Sequence, residues 1–295
     1  MIALPALVRR ACLAEAAARK PGNVHPAAAF SDLTFGHFVR AADLAAATLP
    51  DAATVGVGEA VLRCVRSTVA ACGTNVNLGS ALLLAPLCAV PKKTPLADGV
   101  PAVLSGTTVE DARAVFEAVR LADPGGLGEA AEQDVRSEPN ASLLDAMTLA
   151  ADRDDVAREY AENFAPTARR AFDLGRFWPA TDPAKWEDAV LHAYLGELRT
   201  RPDTHVARRC GTEEAERVRR HVRAAWGPMR SPVAELPWVR DVDRFLRADG
   251  HRRNPGTTAD LTAAALFWAA REGWLELPTE KALHAHAARA RAAAG

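Results

Sequence analysis

The sequence predicts an all-α protein, a multi-helix array around one core. Three observations carry that expectation. Alanine dominates, only 6% of residues are aromatic, and runs of β-branched residues are scarce, a composition that favours helices over strands. Apolar residues recur at three- and four-residue spacing along almost the whole chain. Strand and helix patterns do not alternate, which argues against a parallel sheet. At 295 residues the chain can bury a substantial core and is taken as one domain over 1–295. It shows no repeat at solenoid periods.

Taken in order, the periodicity predicts helices over Leu4–Ala18, Phe35–Ala47, Val55–Ala71, Leu78–Ala89, Val109–Leu121 and Ser142–Ala151. Further helices follow over Asp155–Phe172, Trp186–Thr200, Thr212–Trp226, Pro232–Ala248, Thr258–Glu272 and Thr279–Ala293. The first resembles a signal peptide only superficially, because Arg9, Arg10 and Glu15 interrupt its apolar run; it reads as an amphipathic helix. Thr107 and Glu110 have capping-box spacing. Acidic residues follow Thr212 and Thr279 in first turns, where they complement the helix dipole. The best strand candidate, Val100–Leu104, is short and contains Pro101. Stretches 91–101 and 123–128, rich in Pro and Gly, read as surface loops, and Arg199 to Gly211 as a weaker break.

The formal net charge is −1, so no basic face for nucleic acid is expected. The longest apolar stretch, Ala81 to Val90, contains Pro86 and is too short to span a bilayer. Cys12, Cys64, Cys72, Cys88 and Cys210 form no CxxC pair and no zinc-finger spacing. Reduced thiols in a cytoplasm are therefore expected. A homodimer remains open.

Four polar, glycine-bearing segments interrupt the helices. The first is Lys20-Pro21-Gly22-Asn23-Val24-His25, followed by Asp32. Pro21 and Gly22 force a turn, and Lys20 stands out because the positive charge is otherwise overwhelmingly arginine. A lysine at such a turn can pair with phosphate; equally, the segment can be a helix cap with a surface loop. The second is Gly73-Thr74-Asn75-Val76-Asn77-Leu78-Gly79, before a strongly apolar helix. Asn75 or Asn77 is the expected N-cap, and the surplus of amides suits a ribose or a base. The third holds Asp145, framed by apolar residues and so expected on a buried face, and the cluster Asp152, Asp154 and Asp155. Grouped carboxylates suit Mg²⁺ beside phosphates, whereas Asp154 reads best as an N-cap.

The fourth segment is Asn254-Pro255-Gly256-Thr257-Thr258-Ala259-Asp260-Leu261. Pro255 and Gly256 break the preceding helix, and Thr257 or Thr258 is placed as the N-cap of the next one. Free backbone N–H groups at a positive helix end, next to two hydroxyls and a carboxylate, suit a phosphate or a nucleotide with its metal, whereas the segment taken alone reads first as an ordinary well-capped helix. His205, in Asp203-Thr204-His205-Val206, is a lesser acid/base candidate. The chain has no GxGxxG, no Walker A loop and no GxSxG elbow, which argues against Rossmann, P-loop and α/β-hydrolase enzymes.

In this order the segments resemble the triphosphoribosyl-dephospho-CoA synthase family over nearly the whole chain. The resemblance rests on Glu15 with Lys20–Val24, on Asp32 with Phe35, on Thr74–Leu87 and on Asn254–Leu261. It implies an all-α transferase that uses ATP and dephospho-CoA. An acceptor ribose hydroxyl attacks the anomeric carbon of the ATP ribose, adenine leaves and the triphosphate is retained. On that resemblance Lys20, Gly22, Asn23, Asn254 and the Gly256–Thr258 turn would bind the phosphates and nucleotide. Thr74, Asn75 and Asn77 would position ribose or base. Asp32, Asp145 and Asp260, with Asp152 in the acidic cluster, would hold Mg²⁺ or stabilise the ribosyl cation. Glu15 would serve as a base or a helix-end acid.

The chain departs from the family pattern at two places. No basic residue follows the asparagines of Thr74–Gly79, and Asp123–Gly128 lacks an arginine. In this it resembles a divergent branch linked to tetrahydromethanopterin-dependent one-carbon metabolism, with a pterin or another cofactor precursor as acceptor. Two competing readings are a Mg²⁺-dependent nucleotide or ADP-ribosyl hydrolase and a non-catalytic helical module of a biosynthetic complex.

Overall fold

The computed structural model describes residues 2–123, 132–178 and 185–294. Among the described residues it is all-α, with no strand; the closest approach to one is an isolated antiparallel bridge between His25 and Ala28. The helices are α1 (Leu4–Ala17), α2 (Phe35–Thr48), α3 (Ala52–Val55), α4 (Val57–Cys72), α5 (Leu78–Ala89), α6 (Leu96–Ser105), α7 (Val109–Ala122) and α8 (Leu143–Ala150). They continue as α9 (Asp155–Ala161), α10 (Ala165–Phe177), α11 (Trp186–Thr200), α12 (Thr204–Cys210), α13 (Thr212–Ala225), α14 (Pro237–Arg247), α15 (Gly256–Arg271) and α16 (Glu280–Ala294).

Helix α15 is the axle of the array. Its residues from Leu261 to Ala269 are buried without interruption. Alanines at 263, 264, 265 and 269 let neighbouring backbones approach closely, and α1, α5, α10 and α11 all pack on it. Helix α5 is the second buried rod. Pro86 in its interior cannot donate to the carbonyl of Leu82. That carbonyl instead accepts from the Tyr160 hydroxyl at 2.6 Å, which fastens α9 to α5. The carbonyls of Leu87 and Val90 accept from the Arg271 guanidinium at 2.7 Å each, so α15 also caps the end of α5.

The buried residues form two clusters rather than the one core expected. The smaller is built by α11–α14. Helices α13 and α14 are rich in arginine and carry only narrow apolar seams, Ala215, Val218 and Val222 on one and Val239, Val242 and Leu246 on the other. Seams this narrow pack α13 onto α11 and α14 onto α13, and their buried residues belong to the smaller cluster.

Several expected elements shift. Val100–Leu104 belongs to α6, where Leu96, Val100 and Leu104 are buried at four-residue spacing, so the expected loop 91–101 ends at Pro95. The expected helix Asp155–Phe172 is split: Asn163 and Phe164 adopt positive φ, and Pro166 starts α10. Pro237 likewise starts α14 after a short 3₁₀ turn at Val233–Glu235. The capping box at α7 is Thr108 with Asp111, one residue after the expected pair. The 199–211 break contains α12. The segment 123–128 lies outside the described residues from 124 onward. No helix among the described residues is long and apolar enough to cross a membrane.

Candidate active site

A cavity of about 840 Å³ opens where the ends of α1, α5, α12 and α15 meet the face of α7–α9. Glu15 comes from α1, and Asn23 and Asp32 from the loop after it. Thr74, Asn75 and Asn77 enter from the turn before α5, and Asn254, Gly256, Thr257 and Asp260 from the start of α15. These ten predicted residues share one cavity although they span nearly the whole chain.

Asp260 is the focal group. It sits one turn into α15, and Ser80 Oγ donates to its Oδ1 at 2.5 Å. Gly79 lets the carboxylate lie against α5: a Cβ there would be 2.1 Å from Asp260 Oδ2. No cation contacts it among the described residues. Burial pushes its carboxyl up to about 7; the Ser80 hydrogen bond opposes this and the nearby charge of Glu15 adds to it. A carboxyl near neutrality can give or take a proton under working conditions.

The start of α15 is held by a neighbour. Helix α15 begins at Gly256, so Thr257 and Thr258 lie in its first turn and do not cap it. Buried Asp203 does the capping: its Oδ2 accepts from both the N–H and the hydroxyl of Thr258 at 2.7 Å. Its Oδ1 accepts from Val206 N–H at 2.9 Å, the N-cap bond of α12. One carboxylate therefore locks α12 onto α15, and burial raises its pKa. A Cβ on Gly256 would lie 2.3 Å from His205 Nδ1, so only glycine leaves room for that ring. Burial, then Arg208 and Arg209, hold His205 down to about 4, so its imidazole is neutral at pH 7.

Arginines also line the cavity. Arg208 and Arg209 extend from α12 and Arg153 from the turn before α9. Arg208 pairs with Asp154, and its Nε has no partner among the described residues. Asp154 caps α9 through the N–H groups of Val156 and Ala157, as its position predicts. Neither Arg208 nor Arg209 was singled out from the sequence. The available signal was their position one turn after the Asp203-Thr204 helix start, which puts both near the α15 terminus.

Five predicted residues stand outside this cavity. Lys20 is 1% exposed, and its ammonium contacts Glu15 Oε1 at 2.9 Å and the backbone carbonyls of Glu15 and Ala18. Its charge is spent within the fold. Gly22 adopts φ +76° and packs on Leu246 and Pro255. Thr258 is buried against Asp203. Asp145, expected on a buried face, is exposed and accepts from Ser142 Oγ at 2.7 Å beside the α8 N-cap. Its apolar sequence neighbours point inward while it points out. Asp152 is exposed beside Arg153.

In this all-α chain the cavity brings carboxyl groups and arginines together at a helix N-terminus, a set that suits a phosphorylated substrate. The ATP:dephospho-CoA triphosphoribosyl transferase family (CitG) matches residues 2–279, and the chain belongs to that family. The fold is similar to the crystal structure of a proposed triphosphoribosyl-dephospho-CoA synthase from Archaeoglobus fulgidus. The TM-score is 0.63 and the identity 28%, over 80% of this chain and 99% of that one. No curated protein matches the sequence.

Proposed function

We propose that this cavity transfers the triphosphoribosyl group of ATP to a hydroxyl of dephospho-CoA, or of a related cofactor precursor, with release of adenine. The observation that carries the reading is the convergence of Asp260, the α15 terminus and Arg208–Arg209 on one cavity. Because its walls come from residues 12 to 260, residues 1–295 are taken as one functional domain.

The triphosphate lies along the α12–α15 junction. The Thr257 hydroxyl and the two arginines supply donors and positive potential there, while the N–H groups of Gly256, Thr258 and Ala259 are already bonded to Asn254, Asp203 and Pro255. Thr74, Asn75 and Asn77 face the sugar. Asp260 in its protonated form donates to the leaving base as the C–N bond breaks and the electron pair passes to adenine. The acceptor oxygen bonds the same carbon, and its proton passes to the Glu15 carboxylate, which Lys20 holds in place at 2.9 Å. Two carboxyls in unlike environments thus divide the acid and base work.

Mg²⁺ is expected to accompany the triphosphate. Among the described residues no three ligating side chains converge, so the protein offers no closed cage. Nucleotide-bound Mg²⁺ needs only one or two carboxylates beside phosphate and water. Asp32, which lines the cavity, is the carboxylate that would hold it. The ion would neutralise charge on the triphosphate.

The reading is tested by incubating the protein with ATP and Mg²⁺, with and without dephospho-CoA, and following adenine and adducts by chromatography with mass spectrometry. Acceptor-dependent adenine release with a triphosphoribosyl adduct is expected. Adenine or free ribose phosphate formed equally without acceptor would replace the transferase with a hydrolase.

A further inference from the structure

Two stretches of the cavity wall meet twice. The loop after α1 brings Asn23 against Asn254 and Phe30 against His251, and all four residues line the cavity. Asn23 Nδ2 donates to Asn254 Oδ1. Among the described residues that single bond leaves one end of each amide unused. Asn23 is only 5% exposed, and its Oδ1 has no partner among the described residues. A buried acceptor left in this state is costly and marks a place where a ligand donor belongs. Asn254 Nδ2 remains as the donor beside it.

This display does not depend on how the amides are oriented. Two amides joined by one N–H···O bond always leave one acceptor and one donor, whichever way both are turned. An exocyclic N–H next to a ring-nitrogen acceptor is the complement, and adenine carries that pair on two of its edges. Single Asn or Gln side chains read adenine in the same bidentate manner.

The second meeting supplies a face. The Phe30 and His251 rings stack with centroids 4.0 Å apart and 28° between planes. His251 is held there at φ +71°, a left-handed conformation uncommon outside glycine, and follows Gly250 at φ +70°. Its Nδ1 is buried without a partner among the described residues. A planar base extends such a stack with little regard to its substituents. Face and edge contacts thus come from the same two chain segments.

We infer that the Asn23–Asn254 amide pair and the Phe30–His251 stack form a recognition site for an adenine base. This rests on the reading of the cavity as a nucleotide transferase site. Adenine arrives with both ATP and dephospho-CoA, and the site takes that shared group.

Calorimetric titration of the whole protein, with one substrate at a time, tests it. The triphosphate probes are ATP, purine riboside 5′-triphosphate (which lacks the exocyclic amine) and inorganic triphosphate. Wild-type protein is expected to bind ATP roughly tenfold more tightly than the amine-free analogue. In Asn254→Asp, whose second oxygen replaces the donor, ATP affinity should fall by about tenfold relative to that for inorganic triphosphate. Inorganic triphosphate reports fold and charge effects in the variant, and the analogue comparison needs no variant at all. A parallel comparison of dephospho-CoA with 4′-phosphopantetheine separates the two sources. A drop confined to dephospho-CoA assigns the site to the acceptor's adenine. Wild-type protein that binds both substrates, ignores the amine and is unaffected by Asn254→Asp overturns the inference alone. Protein that binds neither substrate overturns the transferase reading, and the inference with it.

Discussion

Asp260 Oδ2 occupies the space that a side chain on Gly79 would need. The two helices carrying them are so close that a Cβ at position 79 would stand 2.1 Å from that oxygen. Ser80, the next residue, holds Oδ1 at 2.5 Å. Consecutive residues of α5 therefore set both the distance and the direction of the carboxyl. Gly79→Ala must push Asp260 off this position. The overpacking costs about 1–3 kcal/mol, so the variant folds. A shift of about 1 Å at a reacting group costs on the order of a hundredfold in rate. Adenine-release kinetics beside a thermal melt check this: a stable variant with full activity would remove Asp260 from the chemistry.

Lys20 illustrates a residue whose chemistry and position diverge. Its ammonium is enclosed with Glu15 and two backbone carbonyls. Removing one partner of a buried pair leaves the other charge uncompensated, at about 3–5 kcal/mol. Lys20→Met should accordingly lower stability by that order in a urea titration. Affinity for inorganic triphosphate should stay within about twofold of wild type, because Lys20 touches no part of the proposed phosphate site. The opposite pattern, a stable protein that has lost triphosphate affinity, would return Lys20 to a direct phosphate role.

The sequence made the helical class plain, because helical periodicity and the lack of strand signals agree over the whole chain. It also singled out ten cavity residues, for a physical reason. Polar Asn, Thr, Asp and Gly at helix ends are unusual in an alanine-rich background, and these ends converge. Asp145 misled because its apolar sequence neighbours do not fix its own direction on a helix of only eight residues. Arg208 and Arg209 were hidden among many arginines. Helix α12 itself, seven residues long, was too short to show periodicity. Capping by a distant residue, as Asp203 caps α15, has no local sequence signature.

Asp203 makes a further prediction. Its two oxygens satisfy Val206 N–H, Thr258 N–H and the Thr258 hydroxyl. Asp203→Ala loses a helix cap, worth about 1 kcal/mol, and strands buried donors at about 1–3 kcal/mol more. The loss should exceed that of an ordinary cap deletion such as Ser142→Ala, where only the exposed α8 terminus is affected. Hydrogen exchange at the first amides of α12 and α15 should accelerate together. Faster exchange at only one of the two helices would show that Asp203 does not couple them.

Asp260 should show its burial in the pH dependence of stability. Its carboxyl titrates at about 7 in the folded protein, and an unfolded aspartate near 3.9. Between those values the folded state keeps a proton that the unfolded chain has released. Stability therefore falls as pH rises through this window, and the whole penalty is present above about 7. Below about 4 both states are protonated and the penalty vanishes. Asp260→Asn has no proton to lose, and its amide can still accept from Ser80. The variant should be more stable than wild type at pH 8, by on the order of a few kcal/mol, and no more stable at pH 4. The same substitution removes the proton donor for the leaving base, so adenine release should drop sharply as the melting temperature rises. Urea titrations at pH 5, 6, 7 and 8 would settle it. Parallel stability profiles for the two proteins would mean that Asp260 titrates as an ordinary carboxylate, and the base would then need its proton from elsewhere.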